Sequence, residues 1–231
     1  MIVAIDGPAG SGKSTTARRV AEQLGWLYLD TGAMYRAVGL AFREQSLPFS
    51  DDAAAALVPD LTVDLSPGAD GVRVALNGQD VTDRIRTAQA ASDASLASAL
   101  GPVRDALVAL QRRVADRQPD GRGVVAEGRD IGTVVFPDAD VKFFMVADLD
   151  ARARRRHDDL LRTDSSNAPA FETVRQDLAE RDRRDQTRAI APLKPAPDAV
   201  VLDTTAIGPD EQVAEVLDAV ASAQSAQASH S

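Results

Sequence analysis

The residues from Gly7 to Thr15, Gly7-Pro8-Ala9-Gly10-Ser11-Gly12-Lys13-Ser14-Thr15, fit the pattern G-x-x-x-x-G-K-[S/T] without deviation. Glycines permit backbone conformations and close approaches that a Cβ would block. Successive N–H groups can then point inward and, with the positive end of the following helix, cradle a β-phosphate. Lys13 is placed to reach the β- and γ-phosphates, and the Ser14 hydroxyl to take a coordination position on Mg2+. A chance match is on the order of one in a thousand for a chain with this glycine, lysine and hydroxyl content. The chemistry predicted is capture of a nucleoside triphosphate with magnesium. Asp6, beside the loop, is a carboxylate that could support the metal indirectly.

A loop that grips a triphosphate does not say what becomes of its γ-phosphate. A switch GTPase would need an Asn-Lys-x-Asp guanine reader, and none of the three lysines, Lys13, Lys142 and Lys194, follows an asparagine. The chain is too short for the long domains of a mechanical ATPase. The compact option left is transfer to a small acceptor, which requires a second anion site opposite the first and exclusion of water. Three stretches offer arginines for that purpose: Leu29-Asp30-Thr31-Gly32-Ala33-Met34-Tyr35-Arg36, the run from Glu127-Gly128-Arg129-Asp130 to Ala139, and Glu180 to Arg188. In the last, Arg181, Asp185 and Arg188 are spaced i, i+4, i+7, which a continuous helix would place on one face. On spacing alone, a solvated ion-pair face is the ordinary reading of that pattern.

The elements that must position these groups follow from periodicity. Ile2 to Ile5 reads as a short apolar strand of the kind that a parallel sheet buries on both faces. After the glycine loop, Ala17, Val20, Ala21 and Leu24 mark a helix that Gly25 ends. Trp26 to Leu29 is a second strand, and Met34, Ala37, Val38 and Ala41 stripe a second helix. Two strand–loop–helix units at the start predict a doubly wound α/β fold. Further parallel strands are predicted at Val124 to Ala126, Val141 to Val146 and Val200 to Leu202, five in all, with helices on both faces.

The middle breaks that rhythm. Leu61 to Leu65, Val72 to Leu76 and a short piece around Val81 are strand-like, joined at Asp70-Gly71 and Asn77-Gly78, both tight-hairpin signals. A small antiparallel meander inserted beside the main sheet is the reading. Thr87 to Asp116 is helical, punctuated by Gly101-Pro102, with Val103, Leu107, Leu110 and Val114 on a core-facing stripe. Arg152 to Arg162 and Phe171 to Arg184 are charged helices separated by a loose segment at Thr163-Asp164-Ser165-Ser166-Asn167. Val213, Val216, Leu217 and Val220 give a closing helix, and Ala221 to Ser231 reads as a frayed low-complexity tail.

Composition narrows the partners. The 231 residues include 35 acidic and 26 basic ones, a net charge of −9, so general attraction to nucleic acid or acidic membranes is not expected. Small phosphates remain accessible to local arginines. There is no cysteine, which excludes disulfides, zinc–thiolate sites and thiol nucleophiles. The first apolar run is broken by Asp6 and Gly7, too short for a membrane span or signal peptide, and no other run approaches membrane length. A cytoplasmic, monomeric protein is the expectation.

Taken with the motifs in their order, the chain resembles bacterial cytidylate kinases, a family of nucleoside monophosphate kinases, from about Ile2 to Leu217. The resemblance rests on the phosphate loop, LDTGAMYR, the antiparallel insert, EGRDIGTVVFPDA and ERDRRDQTRAIAPL. It implies a P-loop kinase domain over 1–220, with a core of about 1–30, 103–150 and 185–220, an acceptor-binding region of about 31–102, and a lid of about 151–170. It implies ATP as donor with Mg2+, and CMP and dCMP as acceptors. Arg36, Arg129 and Arg188 match positions that hold the acceptor phosphate, a task that guanidinium forks suit. Thr31 and Tyr35 match the lining of the same pocket, Ser95, Arg104 and Asp130 the readers of the cytosine edge, and Arg181 and Asp185 the ribose pair. Arg152, Arg155 and Arg156 match the lid, which neutralises the transferring phosphoryl group alongside Lys13, Arg129 and Arg188. Glu127 stands where relatives often have aspartate, as a candidate indirect support for magnesium. Neither His157 nor His230 is placed for a covalent intermediate. The alternatives that the sequence leaves are a kinase for another small acceptor such as UMP, and a P-loop ATP-binding regulatory protein.

Overall fold

Every predicted strand of the main sheet forms. The structure, a computed structural model, describes residues 1–68, 71–119, 122–163 and 168–229. Strands β1 (Ile2–Asp6), β2 (Leu27–Asp30), β6 (Val124–Gly128), β7 (Val141–Val146) and β8 (Val200–Asp203) make a parallel sheet of order β2-β6-β1-β7-β8. Between β2 and β6 in the chain lie β3 (Val63–Gly68), β4 (Gly71–Leu76) and β5 (Gln79–Asp80), a separate antiparallel sheet. The helices are α1 (Lys13–Leu24), α2 (Thr31–Glu44), α3 (Asp51–Leu57), α4 (Ala88–Ala97), α5 (Gly101–Asp116), α6 (Leu149–Thr163), α7 (Phe171–Thr187) and α8 (Pro209–Ala228).

The period-two alternation of the central strands divides the core into two. Val3, Ile5 and Val125 point to one face, where they pack with Val20 of α1, Phe143 and Met145 of β7, and Val213 and Val216 of α8. Ala4, Val124 and Ala126 point to the other, under Met34, Val38 and Phe42 of α2 and Val103 and Leu107 of α5. Leu110 and Val114 pack on this second core, as the stripe requires. A third cluster joins Ala9 of the phosphate loop to Ala153, Val174 and Leu178, which seats α6 and α7 over that loop.

Local chemistry explains the boundaries that position the site. Gly25, at φ 66°, ends α1, and the Trp26 amide returns to the Ala21 carbonyl at 2.9 Å. Asp30 caps α2 by accepting from the Ala33 amide at 2.9 Å, so the chain passes from β2 into α2 with no intervening loop. The Asn77-Gly78 turn forms with both residues at positive φ, 49° and 78°.

Several details differ from expectation. The strand near Val81 is Gln79–Asp80, and α3, capped by Ser50, was not foreseen. Pro102 does not end a helix but occupies the first turn of α5. The expected fraying after Ala221 does not occur over the described residues. There α8 continues to Ala228, held by Val220 and Ala223 on the core and by Gln227 Nε2 on Asp140 Oδ1 at 2.6 Å. Asp70 of the predicted first hairpin turn, 164–167 of the loose segment, and His230 and Ser231 lie outside the described residues.

Candidate active site

The phosphate loop has the backbone that its glycines predict. Gly7, Gly10 and Gly12 have φ of 153°, 77° and 95°. The φ of Gly12 favours glycine, and a Cβ there would stand 2.5 Å from Gln212 Oε1 of α8 and displace that side chain. Gln212 is itself fixed by Thr16 Oγ1 at 2.9 Å and the Ile207 carbonyl at 3.0 Å. Thr204, at the end of β8, donates to the Ser11 carbonyl at 2.8 Å. Neither Gln212 nor Thr204 carries a sequence signal beyond the latter's place at a strand's C-terminal end.

Lys13 is buried at the floor of this loop, 3.2 Å from the Pro8 carbonyl and 3.8 Å from Glu127. Burial and the nearby Arg129 lower its pKa to about 7, against the opposing pull of Glu127. Ser14 Oγ donates to Glu127 Oε1 at 2.6 Å, and Tyr28 Oη to the same oxygen at 3.3 Å. Of the two carboxylates considered beside magnesium, Glu127 therefore keeps company with Ser14. Asp6 is occupied elsewhere: its two oxygens accept from the Ile131 and Gly132 amides, each at 2.8 Å. Thr15 is exposed on the rim of the cavity.

A cavity of about 890 Å³ opens from the loop toward the acceptor region. Lys13, Arg36, Arg129, Arg155, Arg156 and Arg181 all line it. Arg36 and Arg156 make no hydrogen bond or ion pair with any described residue. Arg181 lies 3.9 Å from Asp185, and its pKa is lowered to about 9 by burial and by Arg129. Cations outnumber the lining carboxylates Asp30, Glu127, Asp158 and Asp159, and such an excess of positive charge suits a multiply charged anion. Asp30 and Tyr28 also line the cavity, and the sequence reading gave neither of them a role there.

Behind this lining stands a buried polar wall containing the other predicted acceptor residues. Asp185 accepts from Arg129 Nε at 2.9 Å and from Ser95 Oγ at 3.0 Å. Burial pushes the Asp185 carboxyl upward, but Arg129, Arg181 and Arg188 outweigh it and hold the group below the usual range. Arg104, only 3% exposed, pairs with Asp130 and reaches the Tyr35 hydroxyl at 3.4 Å. Arg188 bonds the Ser98 hydroxyl at 2.9 Å, the Ala191 carbonyl at 2.7 Å and Asp130 Oδ1 at 3.4 Å. Thr31 Oγ1 donates to the Glu127 carbonyl at 2.8 Å. Thr31, Tyr35, Ser95, Arg104, Asp130, Asp185 and Arg188 are thus joined by hydrogen bonds to one another or to the lining residues Glu127 and Arg129. Ser98 belongs to this wall although its setting in an alanine-rich helix gave no hint of it.

The three arginines expected in the lid that closes over the triphosphate are divided. Arg152, 6% exposed, is spent on the Ala9 carbonyl at 3.1 Å, the Ala147 carbonyl at 2.9 Å and Asp182 at 2.6 Å, and does not line the cavity. The reason is position: it lies in the first turn of α6, which passes directly over the phosphate loop. Arg155 bonds the carbonyl and hydroxyl of Thr204. Arg156 lines the cavity with no hydrogen bond or ion pair to any described residue.

A family model described as cytidylate kinase matches residues 3–222 of the chain. The cytidylate kinase of Salinibacter ruber is 52% identical over 221 residues, covering 95% of this chain and 96% of that one. That of Chlorobaculum tepidum is 45% identical, covering 95% and 92%. That of Shouchella clausii is 46% identical over 219 residues, covering 94% and 95%.

Proposed function

The chain belongs to the cytidylate kinase family, an ATP-dependent phosphotransferase that converts CMP to CDP, and we propose that it carries the reaction out by direct in-line transfer inside the arginine-lined cavity. The observation that carries this reading is that one cavity joins Lys13 of the phosphate loop to Arg36, Arg129 and Arg181 of the acceptor side. Two anions placed there meet tip to tip with their charge matched by fixed cations, so catalysis is positioning and electrostatics.

The backbone amides of 7–15 and Lys13 hold the donor phosphates. Arg36 and Arg129 take the acceptor phosphate, with Arg181 and Asp185 on the ribose. Asp130, braced by Arg104 and Arg188, presents a carboxylate side to the cytosine amine, and Ser95 and Tyr35 complete the pocket. Arg188 acts on the acceptor from this braced position. Of Arg152, Arg155 and Arg156, Arg156 neutralises the transferring group, with Arg155 beside it, since both line the cavity and Arg156 has no hydrogen bond or ion pair among the described residues. The acceptor phosphate oxygen is ionised at neutral pH, so no side chain need act as a base.

Magnesium fits the residues present, because a hydroxyl and a buried carboxylate already meet at Ser14 and Glu127 beside the phosphate loop. Bound there through Ser14, with Glu127 in support, Mg2+ would neutralise charge on the donor phosphates. We extend the proposal to dCMP as a second acceptor and to a cytoplasmic monomer. Among the described residues, no helix is long and apolar enough to cross a membrane.

ADP release measured against CMP, dCMP, UMP, AMP and no acceptor tests the reading. CMP-dependent release well above the acceptor-free rate is expected. Preference for UMP would overturn the acceptor assignment, and acceptor-independent hydrolysis the transfer itself.

A further inference from the structure

We infer that Asp6 and Arg112 are positioning residues for the acceptor site, because together they clamp the short π-helix that follows Arg129 and Asp130. The inference rests on the reading of CMP as acceptor. Residues Ile131–Val135 form this π-helix, a rare single turn closed by the Phe136 amide on the Ile131 carbonyl at 2.7 Å, whose first amides and last carbonyls need partners from outside it. Asp6 supplies it at one end, where its two carboxylate oxygens take the Ile131 and Gly132 amides. Arg112 supplies it at the other, where Nε donates to the Val135 carbonyl at 2.9 Å and Nη2 to the Val134 carbonyl at 2.7 Å. A carboxyl group thus meets the amide end and a guanidinium the carbonyl end, so each end of the turn has a hydrogen-bond partner.

The anchoring points give the clamp its consequence. Asp6 is the last residue of β1 and directly precedes Gly7, so the carboxylate ties the root of the donor loop to the segment that carries Arg129 and Asp130. Arg112 lies on α5, as does Arg104, so one helix grips this segment at both ends: Arg104 at Asp130 and Arg112 at Val134 and Val135. Asp6 is 4% exposed, and neither Asp6 nor Arg112 lines the cavity. Both are spent on backbone groups of Ile131–Val135, so they act on the acceptor site through the segment that follows Arg129 and Asp130.

Steady-state kinetics of the full chain test this with Asp6→Asn, Arg112→Gln, Arg112→Lys and the double variant Asp6→Asn/Arg112→Gln. Asparagine keeps the shape but replaces one acceptor oxygen with an NH2 that opposes a backbone amide. We expect kcat/KM for CMP to fall about tenfold or more in Asp6→Asn and several-fold in Arg112→Gln, with KM for ATP within about twofold of wild type. Arg112→Lys should recover part of the loss, and the double variant should lose less than the product of the single effects, since both groups hold one turn. Unchanged CMP parameters, or equal losses for CMP and ATP, would overturn the inference. If Asp6→Asn does not fold, the surface-lying Arg112 variants decide the matter by the same criteria. A wild type inactive on CMP overturns the functional reading and this inference with it; a wild type active on CMP with unaffected variants overturns the inference alone.

Discussion

Ser14, in the first turn of α1, and Glu127, at the end of β6, are 113 positions apart and share a hydrogen bond of 2.6 Å at the floor of the cleft. Glu127 is 3% exposed, so a buried carboxylate orients the hydroxyl proposed to meet the metal. Glu127→Gln keeps the shape and removes the charge. The Mg2+ concentration for half-maximal rate should rise about tenfold or more, the usual cost of losing a group that orients a metal ligand. A magnesium titration at fixed ATP and CMP checks this, and an unchanged midpoint rejects the role.

Lys13 gives the enzyme a pH signature. With its pKa lowered to about 7 by burial and Arg129, the free enzyme holds Lys13 largely uncharged at pH 8. A triphosphate favours the charged form, so binding should take up part of a proton, and ATP affinity should fall as pH rises through and above about 7. Calorimetry at pH 8 in two buffers of different ionisation enthalpy reads this uptake directly, because ATP itself no longer titrates there. It should vanish in Lys13→Met, and buffer-independent heats in the wild type would count against it.

Arg152 and Arg156 should separate stability from turnover. Arg152→Gln leaves Asp182 buried without its partner and should lower stability by about 3 kcal/mol. Arg156→Gln removes no hydrogen bond or ion pair between described residues, so stability should change by no more than about 0.5 kcal/mol while kcat falls about a hundredfold. Urea denaturation beside steady-state rates distinguishes the two. Equal effects in both assays would return Arg152 to the catalytic set.

Asp130→Asn should erode choice more than grip on ATP. It takes the charge from between Arg104 and Arg188 and offers the base an amide in place of a carboxylate. The ratio of kcat/KM for CMP to that for UMP should drop about tenfold or more, with KM for ATP within about twofold. A preserved ratio would place cytosine reading elsewhere.

What the sequence revealed tracks how local each feature is. The phosphate loop, its flanking strand and helix, and the Asn77-Gly78 turn are set by neighbours in the chain, and all formed as read. α3 carried a Ser50 cap and acidic residues in its first turn, but only Ala54 and Leu57 face the core, too few for a visible stripe. The last turns of α8 looked like low complexity, although alanine is a strong helix former and Gln227 finds Asp140 only in three dimensions. The π-helix has no period of its own to read. Arg152, Arg155 and Arg156 are one residue type within five positions, and their fates are decided by Ala9, Asp182 and Thr204, far along the chain. The buried wall was named through resemblance, since Ser95 and Asp185 meet across 90 positions.

Arg152 and Arg155 fasten the near end of α6 to the phosphate loop and to the exit of β8, while Arg162 at its far end also lines the cavity. A helix fastened in this way would pivot at the donor. An inward swing would be smallest at Arg152 and Arg155 and widest near Arg162. Admission of nucleotides and alignment of the reacting atoms would thereby be uncoupled, the gateway widening or narrowing while the guanidinium groups beside the donor keep their station.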